Sequence, residues 1–334
     1  MIFEDLPTTP TAEELIDQAF SRAARAGRAK QGVEAQKSML MTASNVLSDN
    51  LGNVAQRWPD FRDVDPFYRE FGDAVLRREL DIDAEDAEIE TPGLDTVVRH
   101  LANISWASRT TKRLGREYIG RLPNETDGAR KLRKQAFARM ADVVEEVEAD
   151  LHTVGEARNA LRDLPEIDAE KPAIVVAGYP NVGKSSFVNA VTRTSSETAS
   201  YPFTTTGILV GHVERDHITY QIVDTPGMLD RPQAERNAIE SQAASAMTHL
   251  ADAVLFIYDA SGSCGYPLSA QRTLHDEVVG RFDVPIVTVC NKADLDRGVE
   301  ADHYMSVTDG EGVDETLDAA IEAVGYELEL PFEG

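Results

Sequence analysis

The first half of the chain has the hydrophobic spacing of α-helices. Thr11-x-x-Glu14 predicts a capping box at a helix start, and apolar residues then recur every three or four positions. A second helix carries apolar positions between 40 and 54, and long helices are predicted from about 96 to 122 and from about 129 toward 161. Residues 1–165 therefore predict an all-α helical-bundle domain of three or four main helices.

From residue 171 onward the pattern changes to short apolar runs that alternate with predicted helices. The runs are near-continuous, as expected of strands buried on both faces, and comprise Ala173–Ala177, Ile218–Val223, Ala253–Tyr258 and Pro285–Cys290. Gly207–Glu214 and Thr219–Asp224 predict a hairpin that adds an antiparallel edge. Leu164-Pro165 and Lys171-Pro172 mark the boundary, so residues 171–334 predict a doubly wound, mostly parallel α/β domain.

Composition supports two domains that lie outside a membrane. The chain has 334 residues, 42% of them hydrophobic, and no apolar run approaches the roughly 18–20 residues that span a bilayer. The N-terminus has neither the basic start nor the apolar stretch of a signal peptide. Cys264 and Cys290 are far apart without metal-ligand spacing, which predicts ordinary thiols in a reducing, cytoplasmic setting.

The net charge of −25 would by itself argue against a nucleic-acid partner, but the positive charge is clustered. Arginine supplies 25 of the 33 basic residues, and such an acidic, lysine-poor composition resembles that of proteins from salt-accumulating halophiles. Between Arg99 and Arg139 there are 11 basic residues and only three acidic ones. A basic island in an acidic chain indicates a specific anionic partner or an internal charge pairing.

Four of these residues share one face of a predicted helix and are called the basic stripe here: Arg109, Lys112, Arg113 and Arg116. The next helix opens close by with Arg130, Lys131, Arg133 and Lys134. Such a surface is typical of proteins that bind the phosphate backbone of structured RNA. The alternative is a basic face that is paired with acidic neighbours in the same domain.

Residues 178–185, G-Y-P-N-V-G-K-S, match a phosphate-binding loop and follow a predicted strand. The loop and the helix that begins at its lysine direct backbone N–H groups at bound phosphates. The predicted nucleotide contacts here are Asn181, Val182, Gly183, Lys184, Ser185 and Ser186. Lys184 would bridge the β- and γ-phosphates, and Ser185 would give its hydroxyl to Mg²⁺.

Two further segments are predicted to hold magnesium and the γ-phosphate. Asp224-Thr-Pro-Gly227 ends the next parallel strand, where Asp224 would hold Mg²⁺ through a water and the amide of Gly227 would contact the γ-phosphate. Thr205, one of three threonines before the hairpin, is predicted to ligate Mg²⁺ and contact the γ-phosphate. Thr206 better suits the start of a strand.

Asn291-Lys-Ala-Asp294 follows the last apolar run and predicts selection of guanine. Asp294 would accept hydrogen bonds from guanine N1–H and its exocyclic amine, which adenine does not offer in that geometry. Asn291 would brace the loops, and the stem of Lys292 would lie over the base. Ser306 and Val307 would give backbone contacts to guanine O6.

The residues directly after the Asp-Thr-Pro-Gly motif are Met228, Leu229 and Asp230, whereas many switch GTPases have a glutamine in this segment that orients the attacking water. The predicted catalytic residues are therefore Lys184, Thr205 and Asn181. Asn181 can support a K⁺ ion near the phosphates, as in related GTPases with asparagine at this position, or it can simply hold the turn of the loop. Both interpretations stay open.

Longer stretches resemble the nucleolar GTP-binding (Nog) family of ribosome-assembly GTPases, within the Obg–HflX group. The matching segments are residues 178–187, 202–205, 210–212 and 224–232, together with E-R-N-A-I-E at 235–240, which is more discriminating than generic GTPase motifs. The resemblance implies a helical domain that docks on ribosomal RNA of the maturing large subunit, followed by a P-loop GTPase domain that binds GTP or GDP with Mg²⁺. We expect a compact, monomeric archaeal form.

Two rival functions stay open at this point. One is a translation or stress GTPase of the Obg kind that acts on mature ribosomes, although the helical N-terminal domain disfavours it. The other is an RNA-binding placeholder that occupies a ribosomal site and hydrolyses little GTP. The nucleotide-binding residues would be the same in all three cases, so the sequence does not separate a placeholder from an active switch.

Overall fold

The structure, a computed structural model, describes residues 3–82, 91–162, 167–192, 196–199, 208–224, 226 and 229–326. Its helices are α1 (Ala12–Arg28), α2 (Gly32–Gln56), α3 (Pro66–Glu79), α4 (Pro92–Gly120), α5 (Thr126–Glu146), α6 (Glu148–Arg162), α7 (Lys184–Val191), α8 (Ala238–Leu250), α9 (Leu268–Arg281) and α10 (Val313–Val324). Its strands are β1 (Ala173–Ala177), β2 (Ser196–Ala199), β3 (Ile208–Arg215), β4 (Ile218–Asp224), β5 (Ala253–Asp259), β6 (Ile286–Asn291) and β7 (His303–Tyr304). Among the described helices, none combines the length and the apolar composition that a membrane span needs.

The chain forms two compact units that are not consecutive in sequence. Residues 2–63 and 92–162 form the helical unit, and residues 64–91 and 163–334 form the α/β unit. The sequence instead predicts domains of residues 1–165 and 171–334. The difference lies in α3, which the sequence pattern does not predict and which belongs to the α/β unit.

The helical unit is built around the contact between α2 and α4, with α1, α5 and α6 packed against this pair. The two central helices approach closely where small residues meet: a Cβ on Gly115 would lie 2.4 Å from Ser44 Cβ, and Ser108 Oγ donates to the Ser48 carbonyl at 2.7 Å. The capping box predicted at Thr11 is present, because Thr11 Oγ1 accepts from Glu14 N and the Glu14 carboxylate accepts from Thr11 N.

The helix predicted from about 129 toward 161 is two helices rather than one. α5 ends at Glu146 and α6 begins at Glu148, with Val147 between them at φ −105° and ψ 19°. The spacing of apolar residues shows no interruption at the break, because Val147 is itself apolar and buried, at 2% exposure. Since α5 and α6 both pack on α4, tertiary contact sets the bend where the sequence offers no proline or glycine.

The α/β unit contains a seven-stranded sheet in the order β2-β3-β4-β1-β5-β6-β7. β4, β1, β5, β6 and β7 are mutually parallel, whereas β2, β3 and β4 pair antiparallel. The hairpin between β3 and β4 turns at Asp216 and His217, both with positive φ, as a two-residue type I′ turn requires. The predicted fold class, a doubly wound and mostly parallel sheet, is confirmed.

α3 packs on α8 within the α/β unit. It begins with Asp65 as N-cap, whose carboxylate accepts from Phe67 N at 2.8 Å, and with Pro66 at the first helical position. Gln242 on α8 joins two residues of α3: its Nε2 donates to Asp73 Oδ2 at 2.7 Å and its Oε1 accepts from Arg77 Nη1 at 2.8 Å. Asp73 is fully buried, so this pairing also satisfies a carboxylate that is shielded from water.

The segment that leads into β1 is fixed to β4. The buried side chain of Gln221 accepts from Asp168 N and donates to the Asp168 carbonyl, both at 2.7 Å. The predicted boundary marker Leu164-Pro165 lies outside the described residues, and Lys171-Pro172 directly precedes β1.

Candidate nucleotide-binding site

Two glycines of the loop after β1 have conformations and surroundings that exclude a side chain. Gly178 has φ +138°, and a Cβ there would lie 2.6 Å from the Ile257 carbonyl oxygen. Gly183 has φ +108°, and a Cβ there would lie 2.2 Å from Asn291 Nδ2. Gly183 is also the N-cap of α7, and no side chain caps this helix. The first-turn amides of α7 are therefore available to a ligand with oxygen acceptors.

Lys184 is buried in this loop, at 7% exposure. Its Nζ donates to the carbonyls of Gly178 and Tyr179 at 2.7 and 3.0 Å, which holds the ammonium group inside the curve of the loop. Burial lowers the pKa of Lys184, and the charges of Asp224 and Asp230 act in the opposite direction. An anionic ligand in the loop would favour the charged ammonium form.

Ser185 and Asp224 meet at the carboxyl end of the sheet. Ser185 Oγ donates to Asp224 Oδ2, and Asp224 is a fully buried residue at the end of β4. A hydroxyl beside a carboxylate is a pair of hard oxygen donors, which suits Mg²⁺. The other predicted ligand, Thr205, lies outside the described residues, as do Gly227 and Met228.

Asn181 has a left-handed backbone conformation, with φ 63°. Asparagine tolerates this conformation better than most residues, so the loop has a local reason to carry it. Its carbonyl accepts from Lys292 Nζ at 2.9 Å, which links the phosphate loop to the Asn291–Asp294 segment. The left-handed backbone of Asn181 is thus consistent with the interpretation that it holds the turn of the loop. A role with K⁺ stays a prediction.

Asn291 connects three loops through one buried amide. Its Nδ2 donates to the Val182 carbonyl at 2.8 Å, and its Oδ1 accepts from Val307 N at 3.2 Å. Ser306 is buried at 1% exposure, and its Oγ contacts Asp309 Oδ2 at 3.0 Å. The segment containing Ser306 and Val307 is therefore held next to the phosphate loop by Asn291.

The loops enclose one cleft with a volume of about 640 Å³. Its phosphate-loop end is lined by Asn181, Gly183, Lys184, Ser185 and Ser186, and its other end by Asn291, Lys292, Asp294, Leu295, Val307 and Thr308. Leu295 is 65% exposed and, like Thr308, is not among the residues predicted from sequence. An exposed leucine beside Asp294 offers an apolar surface for a planar ring.

Asp259 is a further site residue that the sequence analysis misses. It is fully buried at the end of β5, and its carboxylate accepts from Lys292 Nζ at 2.7 Å and from Cys264 N at 2.8 Å. Burial raises the pKa of Asp259, but hydrogen bonds from Lys292, Ser261 and Ser263 outweigh that effect and lower it overall. Its position where an apolar strand ends, before Ser-Gly-Ser-Cys, is the only signal in the sequence.

The discriminating E-R-N-A-I-E segment has a structural explanation. Asn237 caps α8, and Glu240 completes a capping box by accepting from Asn237 N at 2.9 Å. Glu240 also pairs with Arg231 Nη2 at 2.7 Å, and Arg236 Nη2 donates to the Arg231 carbonyl. These contacts fix the start of α8 to the chain that follows the Asp-Thr-Pro-Gly motif.

The basic residues of the helical unit are mostly exposed. All four members of the basic stripe are exposed, as are Arg130, Lys131 and Lys134. Within the described ranges, the one ion pair of this set joins Arg130 to Asp127 at 3.6 Å. Pairing with acidic neighbours, the alternative raised by the sequence, therefore accounts for little of this charge.

Arg133 differs from the other basic residues because it is partly buried and its guanidinium contacts an aromatic ring. Its guanidinium lies 5.0 Å from the centre of the Phe137 ring, which in turn stacks on Phe20 with ring centres 4.4 Å apart. Partial burial lowers the pKa of Arg133, and the nearby charge of Arg130 adds to the effect. A cation–π contact of this kind gives Arg133 a packing role of its own.

Sequence models of two known domains match this chain. The model of the NOG1 N-terminal helical domain matches residues 3–168, and that of a 50S ribosome-binding GTPase matches residues 173–292. The two matches follow each other in the order that the sequence analysis predicts.

Relatives span the same region. An uncharacterized protein of Methanocaldococcus jannaschii is 34% identical over 304 residues, which are 88% of this chain and 81% of that protein. Nucleolar GTP-binding protein 1 of Arabidopsis thaliana is 30% identical over 88% of this chain, but the match spans only 43% of the plant protein. The crystal structure of a nucleolar GTP-binding protein 1 from Plasmodium falciparum is 33% identical, covers 48% of this chain and 90% of that one, and has a TM-score of 0.44. The resemblance found in the sequence is thereby confirmed: the chain is a GTP-binding protein of the Nog family.

Proposed function

We propose that this protein hydrolyses GTP and acts as a switch in assembly of the large ribosomal subunit, whose precursor it binds through RNA. The observation that carries the enzymatic part is the cleft lined by Lys184, Ser185 and the Asn291–Asp294 segment, with Asp224 hydrogen-bonded to Ser185. The name of the relatives, nucleolar GTP-binding protein, and the description of the matching domain, 50S ribosome-binding GTPase, support the ribosomal part.

The phosphate end of the cleft supports binding of a nucleoside triphosphate. Backbone amides from Asn181 to Ser186 bind the phosphate oxygens, and the Lys184 ammonium neutralises the charge that moves to the leaving oxygen. Ser185, Asp224 and Thr205 are the proposed Mg²⁺ ligands, and the hydroxyl–carboxylate pair fits this role. Mg²⁺, when bound, supplies positive charge to the phosphate oxygens.

The opposite end of the cleft supports selection of guanine. The Asp294 carboxylate accepts from N1–H and from the exocyclic amine of guanine, while amides of Ser306 and Val307 donate to O6. Lys292 covers one face of the base, and its pairing with Asp259 and Asn181 sets its position. Adenine would leave the carboxylate without donors, which disfavours ATP.

Hydrolysis on the free protein is expected to be slow, because the three residues directly after the Asp-Thr-Pro-Gly motif include no glutamine. A K⁺ ion held by Asn181 or contact with the ribosomal particle would supply the missing charge or orientation. Multiple-turnover hydrolysis with and without large-subunit particles tests the switch. Equal and negligible rates in both cases would instead support a placeholder.

The basic stripe supports binding to RNA because its guanidinium and ammonium groups are exposed and, among the described residues, form no ion pair. Arg130, Lys131 and Lys134 extend this surface, and Arg133 contributes mainly to packing. This function implies a cytoplasmic protein, and we propose that it works as a monomer.

A matched pair of charge reversals tests the RNA contact. Replacing Arg109 and Arg113 by Glu should weaken co-sedimentation with large-subunit particles and leave GTP affinity unchanged. Replacing Arg22 and Arg25 by Glu changes the charge equally on α1, which packs on α2 and α5, and should have little effect. If both variants sediment with the particles as the original protein does, the basic stripe is not the RNA contact.

A further inference from the structure

An exposed tryptophan lies on the helical face of the basic stripe. The chain contains two tryptophans, of which Trp58 is 7% exposed and Trp106 is 40% exposed. Burying an aromatic side chain removes about 150–250 Å² from water, so folding normally places such side chains inside. An indole that is 40% exposed on α4 thus has a surface available for a planar partner.

Cationic side chains surround Trp106 on this face. Arg109 and Arg113 follow it at i+3 and i+7, and Arg99 precedes it at i−7, so all three lie on its side of α4. Arg109 Nη1 donates to Ser105 Oγ at 2.7 Å, which folds the guanidinium back over the turn that carries Trp106. The indole therefore has positive charge above and below it along the helix.

Acidic side chains of α4 lie far from the indole or are already paired. Asp95 and Glu117 are each 11 residues from Trp106, or about 16 Å along the helix. Glu117 pairs with Arg121 at 3.1 Å. On the neighbouring helix α6, Asp150 accepts from Asn103 at 2.9 Å and contacts His100 at 2.6 Å. The charged side chains that α4 itself presents next to Trp106 are consequently basic.

We propose that Trp106 stacks on an unpaired base of the RNA that the basic stripe binds, while Arg109 and Arg113 contact the adjacent phosphates. This inference rests on the proposed RNA-binding function and specifies its target, a single-stranded loop or bulge rather than a continuous duplex. Bases inside a duplex already stack on each other, whereas an unpaired base exposes a face to an aromatic side chain.

An acidic protein is the other partner that this charge would attract. The apolar positions beside Trp106 on the same face are Val98 and Ala102, which form a small patch with arginines at both ends. Protein interfaces usually have an apolar centre with few charges and a polar rim. A surface with one aromatic ring among several guanidinium groups fits a nucleic acid better than it fits an acidic protein.

Tryptophan emission gives a direct test with two RNA probes. One probe is a hairpin with six unpaired adenosines in its loop, and the other is a blunt duplex with the same number of phosphates. Stacking should quench the emission of Trp106 with the hairpin and much less with the duplex. The variant Trp106→Phe, which keeps only Trp58, should bind the hairpin with nearly unchanged affinity and show no quenching.

Affinities from the anisotropy of fluorescein-labelled probes complete the test. Trp106→Ala should weaken hairpin binding about 5- to 150-fold, while Val98→Ala on the same face should change it little. Unchanged hairpin affinity in Trp106→Ala, or no quenching on binding, would overturn the stacking contact and leave RNA binding intact. Binding of neither probe would overturn the RNA-binding function as well. If poly-L-glutamate quenches Trp106 as strongly as the hairpin, the surface belongs to an acidic protein and the inference is wrong.

Discussion

Gly183 and Asn291 lie so close together that their substitutions should not have additive effects. A methyl group at position 183 would sit 2.2 Å from Asn291 Nδ2, and its next neighbour, Asn291 Cγ, is 3.4 Å away. In Gly183→Ala, the new methyl group should therefore clash with one side chain, that of Asn291. Asn291→Ala removes that side chain, so we expect the second substitution to relieve the clash that the first creates.

The magnitudes follow from two effects on the free energy of unfolding. An alanine held at φ +108° costs about 1–2 kcal/mol of backbone strain. Displacing Asn291 breaks its hydrogen bonds to Val182 and Val307, at about 1 kcal/mol each. Gly183→Ala should thus cost about 3–4 kcal/mol and Asn291→Ala about 2 kcal/mol. The double variant should also cost about 3–4 kcal/mol, which is about 2 kcal/mol less than additivity requires.

Hydrogen exchange at increasing urea concentration, read by mass spectrometry on peptides from β1 and β6, measures the stability of the α/β unit. This readout is needed because both tryptophans lie in the helical unit. Gly211→Ala is the matched control: its Cβ would lie 2.2 Å from Thr192 Cγ2, again a single side chain but not Asn291, so it should combine additively with Asn291→Ala. Additive costs for the Gly183 pair would refute the proposed contact.

The remaining predictions concern ligands and pH. Lys184→Ala should abolish GDP binding in calorimetry, and undiminished affinity would refute the phosphate-loop assignment. Asp294→Asn should shift preference toward xanthine nucleotides; retained selectivity for GTP would argue against its role. If Asn181 holds K⁺, hydrolysis should be faster in K⁺ than in Na⁺ at equal ionic strength, and matching rates would leave only its role in the turn. The pKa of Asp259 is lowered below its ordinary 3.8, so its ion pair with Lys292 should stabilise the fold fully above pH 3.8 and lose this stabilisation as the pH falls through the lowered pKa. Asp259→Asn should therefore make the free energy of unfolding depend less on pH in the acid range. An unchanged dependence in that range would contradict this.

The parts of the site that sequence predicts are those in which local backbone geometry dictates the residue type. Gly178 and Gly183 have positive φ and tight surroundings, so the spacing of the phosphate loop follows from its conformation. The apolar strands likewise follow from burial on both faces, and β1 is buried at every position. Where all the residues that constrain a structural feature lie in one short segment, the sequence of that segment is enough to predict the feature.

Asp259 could not be predicted in this way because its role depends on residues far along the chain. Its carboxylate meets Lys292, 33 positions later, and the two approach only because β5 and β6 are neighbours in the sheet. An aspartate at a strand end is common in loops and indicates no particular partner. The break at Val147 is similar, since the apolar rhythm is continuous and only the packing of α5 and α6 on α4 reveals the bend.

The division into units shows most clearly how tertiary contact overrides chain order. α3 lies between α2 and α4 in sequence, separated from them by segments of nine and 12 residues, yet its packing partner is α8, which begins at Ala238. Gln242 on α8 donates a hydrogen bond to the buried carboxylate of Asp73 on α3. α3 is therefore a packed part of the α/β unit, like the other helices of that unit. An α/β domain cut at residues 165–171 would lack α3. Gln242 and the face of α8 that carries it would then be exposed to water. The compositional change at that boundary is real, but it marks where the sheet begins rather than where the α/β unit begins.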